Sequence, residues 1–134
     1  FPQKMRALIC YDRDLSKRIY AATDIFIMPS KSEPCGLSQM IASRYGAVPV
    51  VRETGGLYDS IKGYYEADGE IYGNGFTFAN YNAHEMKDTV CRAIDGFKNR
   101  EGWQILQKRA MLCDNSWKTS ANAYIGLYKE ICVK

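Results

Sequence analysis

A single histidine, His84, stands in the whole chain, so imidazole chemistry has almost no raw material here. It falls in the first turn of a helix-like run opened by Asn82, a surface position that argues against a histidine nucleophile or base in this segment. The five cysteines (Cys10, Cys35, Cys91, Cys113 and Cys132) are odd in number and widely spaced, and no Cys-x-x-Cys occurs. That spacing supports neither a zinc site nor a disulfide framework, which leaves reduced thiols of a cytosolic protein. Cys35 alone stands out, because it lies within a glycine-bearing turn. No apolar run approaches the length of a membrane span and the opening residues form no signal-peptide pattern, so no membrane partner is expected. Charge of one sign is also missing. The 18 Lys and Arg against 15 Asp and Glu leave a formal +3, scattered rather than striped, and no nucleic-acid partner is expected.

What is present is enough for one domain: 134 residues, 46% hydrophobic and 25% charged. Residues 6–10 read as a short buried strand, and Asp12 or Asp14 can cap a helix over 15–22. Residues 24–28 form a near-continuous apolar strand stopped by Pro29, the kind of unalternating run that fits a parallel strand covered on both faces. A helix over 36–45, with Leu37, Met40, Ile41 and Tyr45 at helical spacing, ends at Gly46. The next strand is 47–51, although Pro49 counts against a fully hydrogen-bonded central position. After Thr54-Gly55-Gly56 comes a short helix over 57–61, then a polar stretch, 62–74, read as a surface loop. A strand over 75–78 follows. Asn82 and Glu85 make a capping-box pattern for a helix to about 97, with Met86, Val90, Ala93, Ile94 and Phe97 inward. Helices over 101–113 and from 117 onward complete the chain, the last expected to bury Trp117, Ala121, Tyr124, Tyr128 and Ile131.

Strand-helix alternation of this kind implies an α/β fold, a parallel sheet with helices on both faces. Four strands are few for a doubly wound nucleotide-binding sheet, and the shortfall lies at the amino end. The chain also opens on Phe1-Pro2-Gln3 without a methionine. The expectation is a piece of a longer protein.

Two strand-to-helix junctions carry the chemistry, Pro29 to Leu37 and Thr54 to Leu57, where open α/β sheets bind ligands at the carboxyl ends of strands. Glu33 precedes a helix start. It either stabilises the positive end of the helix dipole or orients sugar hydroxyls while the helix amides face a phosphate. Gly55-Gly56 is either a tight turn or a place where backbone N–H groups approach an anion closely. Asp12-Arg13-Asp14 imitates an Asp-x-Asp metal site, but at a helix start it reads as capping. Tyr58, Tyr64, Tyr65, Tyr72 and Tyr81 read as ordinary packing rather than a carbohydrate surface. Tyr11 differs, because it directly follows a strand, where a nucleotide base can stack.

Taken together, 22–30, Glu33-Pro34-Cys35-Gly36-Leu37-Ser38-Gln39, 45–52, Thr54-Gly55-Gly56-Leu57 and 75–78 resemble the bacterial glycogen synthases and plant starch synthases. The likeness covers nearly the whole chain. Glu-Pro-Cys-Gly-Leu-Ser-Gln followed by Thr-Gly-Gly-Leu is the specific part. The resemblance implies a retaining glycosyltransferase of two Rossmann-like domains facing across a cleft, the GT-B arrangement, with 1–134 a partial carboxy-terminal nucleotide-sugar-binding domain and 117–134 its terminal helix. It implies glucose transfer from ADP-glucose to the non-reducing end of an α-1,4-glucan, without a cofactor or divalent metal. Glu33 then matches the essential glutamate that holds donor-sugar hydroxyls. Cys35, Gly36 and Leu37 match the turn approaching the hexose and phosphate, Thr54, Gly55 and Gly56 the second glycine turn near the same groups, and Tyr11 the aromatic that stacks on adenine.

There are departures. Relatives in the wider group carry a second glutamate eight positions after the first, where this chain has Ile41, as the glycogen synthase branch does. Cys10 stands where relatives often have glycine. The basic pair that clamps the diphosphate, the amino-terminal glycine loop and the acceptor site would lie upstream of Phe1, so the segment alone is expected to be inactive without its amino-terminal domain. The implied location is cytoplasmic, or plastid in a plant. The competing readings are another GT-B enzyme using a UDP-sugar and a non-catalytic nucleotide- or glucan-binding module.

Overall fold

The computed structural model describes residues 1–132. Three parallel strands, β1 (Ile25–Met28), β2 (Val48–Arg52) and β5 (Phe76–Phe78), form one sheet in that spatial order. A second, two-stranded antiparallel sheet pairs β3 (Tyr65–Ala67) with β4 (Glu70–Tyr72). The helices are α1 (Arg13–Ala22), α2 (Ser38–Arg44), α3 (Gly56–Ser60), α4 (Ala83–Lys98), α5 (Arg100–Leu112) and α6 (Trp117–Cys132).

The side chains of β2 alternate between two cores, because successive strand residues point to opposite faces. Val48 and Val50 meet Phe76, Ala93, Trp103 and Leu106 on the face covered by α4 and α5. Val51 meets Leu57 and Ile61 on the face covered by α3. Both faces of the central strand are therefore dry, as its unbroken apolar run requires. Aromatic rings knit the larger core: Phe76 lies 5.0 Å from Tyr64 and 6.3 Å from Trp103, and Phe97 meets Trp103 edge-on at 5.2 Å. Phe97 and Ile94, expected inward, remain half exposed at the rim of α4.

Pro49 does occupy the middle strand, and the ladder accommodates it. The Val48 N–H donates to Asp24 O at 2.9 Å, so even-numbered residues of β2 face β1 and odd-numbered ones face β5. Pro49 thus lacks its donor on the β5 side, where pairing begins only at Val50 opposite Phe76. The Gly75 carbonyl points away from β2 and accepts from the Tyr64 N–H at 2.7 Å.

Local end signals behave as the sequence indicates, with one exception. Asp12 caps α1, accepting from the N–H groups of Asp14 and Leu15. Asp14 pairs with Lys17 at 3.0 Å. Gly46 follows α2 with φ +91°. Asn82 caps α4 through the His84 and Glu85 N–H groups. The return half of the expected capping box is not made. The Asn82 N–H donates to Asn80 O, and the Glu85 carboxylate accepts instead from the side-chain and backbone amides of Asn80, bonds that hold its pKa below the ordinary carboxylate value.

Four further expectations change. Residues 6–10 form no strand: Ile9 is fully exposed and no ladder bond joins this segment to β1. An apolar run becomes a buried strand only with a partner edge and cover, and it has neither here. The supposed loop 62–74 contains the β3–β4 hairpin, turning at Asp68 (φ +53°) and Gly69 (φ +77°) as a two-residue turn with both φ positive. The buried face of α2 is Gln39, Ala42 and Ser43, while Leu37, Ile41 and Tyr45 are exposed. Finally, α6 forms over the expected span but buries nothing, with Trp117 89% exposed and Tyr124, Tyr128 and Ile131 also open. Residues 133 and 134 of the anticipated 117–134 helix lie outside the described residues.

Candidate active site

The two glycine turns hang from neighbouring strands. Pro29 follows β1 and opens the loop to Glu33; Arg52 ends β2 and leads to Thr54. Because β1 and β2 pair in parallel with Met28 opposite Val51, both loops leave the same edge of the sheet side by side. They then touch through their backbones. The Gly56 N–H donates to the Glu33 carbonyl at 3.1 Å. A Cβ on Gly55 would strike that same Glu33 carbonyl, and one on Gly56 would strike the Cys35 carbonyl. Gly55 also has φ +46°. The paired glycines are therefore required by the packing of turn on turn, and one of their N–H groups is already committed to protein.

The Glu33 side chain is half buried, and among the described residues its carboxylate takes no hydrogen bond and joins no ion pair. Gly36 is buried at φ +73°, a conformation that costs glycine nothing and other residues much. Its carbonyl and that of Cys35 accept from the Gln39 amide, at 2.7 and 3.3 Å. Cys35 is exposed, and so is Leu37 at the start of α2. Thr54 is half buried; its N–H donates to Arg52 O at 2.9 Å and its carbonyl accepts from the Leu57 N–H at 3.1 Å. Glu33, Cys35, Gly36, Thr54, Gly55 and Gly56 are thus brought together. Tyr11 is not: it is 96% exposed in the segment before α1, with no hydrogen bond or ring contact to either turn.

Three supporting side chains escaped the sequence reading. Arg52 reaches back across the loop, its Nη1 donating to Lys31 O at 2.8 Å, while its guanidinium lies 5.8 Å from the Tyr81 ring. Gln39 and Ser60 link α2 to α3 through a 3.0 Å hydrogen bond. The only advance signal was the polar residue type at positions that a helix or strand would bury. Among the tyrosines, Tyr65 stacks on Tyr72 across the hairpin at 4.9 Å and Tyr64 packs on Phe76. The Tyr64 hydroxyl donates to the Glu66 carboxylate, and its pKa is pushed up to about 12, first by desolvation and then by that carboxylate.

Two features bear on metal and membrane. Among the described residues no group of three or more His, Cys, Asp and Glu side chains is placed to hold a metal ion. No described helix is long and apolar enough to cross a membrane.

Comparison with known proteins agrees with this architecture. Residues 10–107 match the family described as glycosyl transferases group 1. A glycogen synthase from Bacillus licheniformis is 55% identical over 128 residues, covering 96% of this chain and 26% of the relative. A glycogen synthase from Clostridioides difficile is 52% identical over 132 residues, covering 98% of this chain and 27% of the relative. Among solved structures, the catalytic domain of starch synthase IV from Arabidopsis thaliana, bound to ADP and acarbose, matches with a TM-score of 0.81 and 44% identity. That match covers 93% of this chain and 26% of the plant protein. The chain thus spans about a quarter of the length of the relatives it matches. Its parallel sheet flanked by helices is the fold of a GT-B glycosyltransferase domain. The chain belongs to the group 1 glycosyl transferases, and within them it is similar to the glycogen and starch synthases.

Proposed function

We propose that this chain is part of the carboxy-terminal nucleotide-sugar-binding domain of a glycogen or starch synthase. That enzyme would transfer glucose from ADP-glucose to the non-reducing end of an α-1,4-glucan, with retention of configuration. The observation that carries the reading is the Glu33 carboxylate: half buried, free of protein partners among the described residues, and set on a turn pinned by its backbone to a second turn. A carboxylate so held accepts two hydroxyl hydrogen bonds from a hexose without having to break a bond of its own.

In this mechanism Glu33 positions the donor sugar and does not attack it. The bond between the glucose C1 and the ADP phosphate oxygen breaks, and a bond from C1 to the acceptor hydroxyl forms on the same face. The acceptor proton passes to the departing phosphate. Cys35, Gly36 and Leu37 offer backbone to the hexose and phosphate, with Thr54, Gly55 and Gly56 behind them, and Tyr11 stacks on the adenine. Basic side chains and helix dipoles stabilise the leaving ADP, and no divalent metal or other cofactor takes part. A facing amino-terminal domain supplies the other wall of the cleft, so the chain alone is inactive. The enzyme works in the cytoplasm, or in the plastid of a plant. Likeness to a starch synthase described with ADP and acarbose supports a nucleotide and a carbohydrate as ligands.

The test uses the full-length enzyme with a glucan primer and either ADP-glucose or UDP-glucose, measuring glucose incorporation. Incorporation from ADP-glucose is expected, and Glu33→Gln should lower turnover by roughly 100-fold or more while the protein stays folded. Tyr11→Ala should weaken ADP binding by about 1–3 kcal/mol, as the loss of a base-stacking ring does. Incorporation from UDP-glucose alone would replace the donor, and primer binding with no incorporation would make this a binding module.

A further inference from the structure

We propose that Gln39 and Ser60 are positioning residues: a buried side-chain link that holds the Glu33–Gly36 turn against the Thr54–Gly56 turn and thereby sets the Glu33 carboxylate for glucose transfer. The inference rests on the function proposed above. It starts from an oddity of burial. Gln39 is fully buried at a position of α2 where an apolar residue would cost less, and its Oε1 has no hydrogen-bond partner. A buried amide with one end unsatisfied is a poor way to build a core.

Its other end accounts for it. The Nε2 group donates to Gly36 O at 2.7 Å, to Ser60 Oγ at 3.0 Å and, more weakly, to Cys35 O at 3.3 Å. Ser60 Oγ, having accepted from the amide, donates its one proton to Gly56 O at 2.6 Å. The path therefore runs from the carbonyl of one turn glycine, through an amide and a hydroxyl, to the carbonyl of the other. It closes a ring with the direct Gly56 N–H to Glu33 O bond. Gly36 is fitted to the same amide, because a Cβ there would lie 2.6 Å from Gln39 Oε1.

Donor chemistry is what the position demands. Methionine would fill the volume but leave the carbonyls of Cys35 and Gly36 unpaired, and glutamate would set oxygen against oxygen. Every bond of the link runs between its two side chains or ends on a backbone carbonyl of one of the turns. Loss of the link therefore loosens the two turns first. The adenine of the donor is held elsewhere, at Tyr11, so the loss should appear far more in kcat than in KM for ADP-glucose.

The experiment is steady-state glucose incorporation by the full-length enzyme with ADP-glucose and primer, alongside thermal melting. Gln39→Met should lower kcat roughly 10- to 100-fold with KM within about threefold. Ser60→Ala should fall in the same direction by a smaller factor, and Ser60→Thr, which keeps the hydroxyl, should restore kcat. The double variant should be no worse than Gln39→Met, because both residues serve one link. An unchanged kcat in folded Gln39→Met, or losses that multiply in the double variant, would overturn the proposal. If Gln39→Met does not fold, Ser60→Ala against Ser60→Thr decides, and equal kcat for the two overturns it. A wild-type enzyme inactive with ADP-glucose removes the functional reading itself; an active wild type with unimpaired variants removes the link alone.

Discussion

The paired glycine turns and the α6 helix are the two most strongly patterned regions of this chain, and they end in opposite conditions. The turns are closed on one another: backbone meets backbone, and the Gln39 amide nitrogen and the Ser60 hydroxyl bridge their carbonyls. Helix α6 has its apolar residues at helical spacing and leaves all of them in solvent. A turn whose atoms are in contact carries its constraint within itself. An amphipathic helix states only that something apolar should lie along one side, and no described element of this chain lies there.

That contrast can be broken most forcefully at a glycine on each side. Gly56→Ala drives a methyl group into the Cys35 carbonyl, which is backbone and cannot step aside. A loss of roughly 3 kcal/mol or more in urea unfolding is expected, as for an overpacked site whose neighbour cannot move. Gly126, in α6, has no heavy atom within 4 Å of the same added group and sits in an α-helix. Gly126→Ala should therefore raise helix content and stabilise the protein by about 0.5–1 kcal/mol. A stabilising Gly56→Ala, or a destabilising Gly126→Ala, would erase the distinction between the regions.

Titration sharpens it at smaller amplitude. The raised pKa of Tyr64, about 12, belongs to a tyrosine whose ring packs on Phe76 and whose hydroxyl donates to the Glu66 carboxylate. Its protonated form is favoured by folding, so its contribution is whole below the ordinary tyrosine value and disappears as pH climbs through the folded one. Tyr64→Phe should flatten the alkaline limb of a stability–pH curve. Asp114 stands at the entrance to α6, accepting from the Thr119 hydroxyl at 2.6 Å and the Ser116 N–H at 2.9 Å. These bonds lower its pKa to about 2. Its contribution is present above the ordinary aspartate value and is lost as pH falls toward the folded one. Being fully exposed, it should affect only α6: Asp114→Asn ought to remove an acid-linked loss of helix signal without moving the global unfolding midpoint.

How far the sequence could be read follows the same division. Helix ends were legible because their causes are local: Asp12, Gly46 and Asn82 act on atoms two or three residues away. The hairpin was missed although Asp68-Gly69 is a strong turn signal, because strands of three residues are too short to show alternation. Residues 6–10 and α6 were assigned partners that their patterns require but that the described chain does not provide. On α2 the apolar stripe pointed to the wrong face, since Gln39 and Ser43 are buried in place of Leu37 and Ile41. At the site, Glu33 and the glycines could be marked from their places at strand ends. Arg52 and Ser60 could not, because their roles consist of contacts with residues about twenty positions away.

Pro49 has a consequence beyond its own strand. A sliding pair of parallel strands can trade one set of bonds for another at little cost, provided every rung has a donor to offer. Pro49 offers none toward β5, so moving Phe76 back by one rung would place it against a blank. The imino acid acts as a stop pin, fixing the height at which β5 meets β2. The β1–β2 rungs use the even-numbered residues of β2 and are complete, although Pro49 stands opposite Phe26. The height at which β5 stands beside the shelf from which both glycine turns project is set by a missing hydrogen.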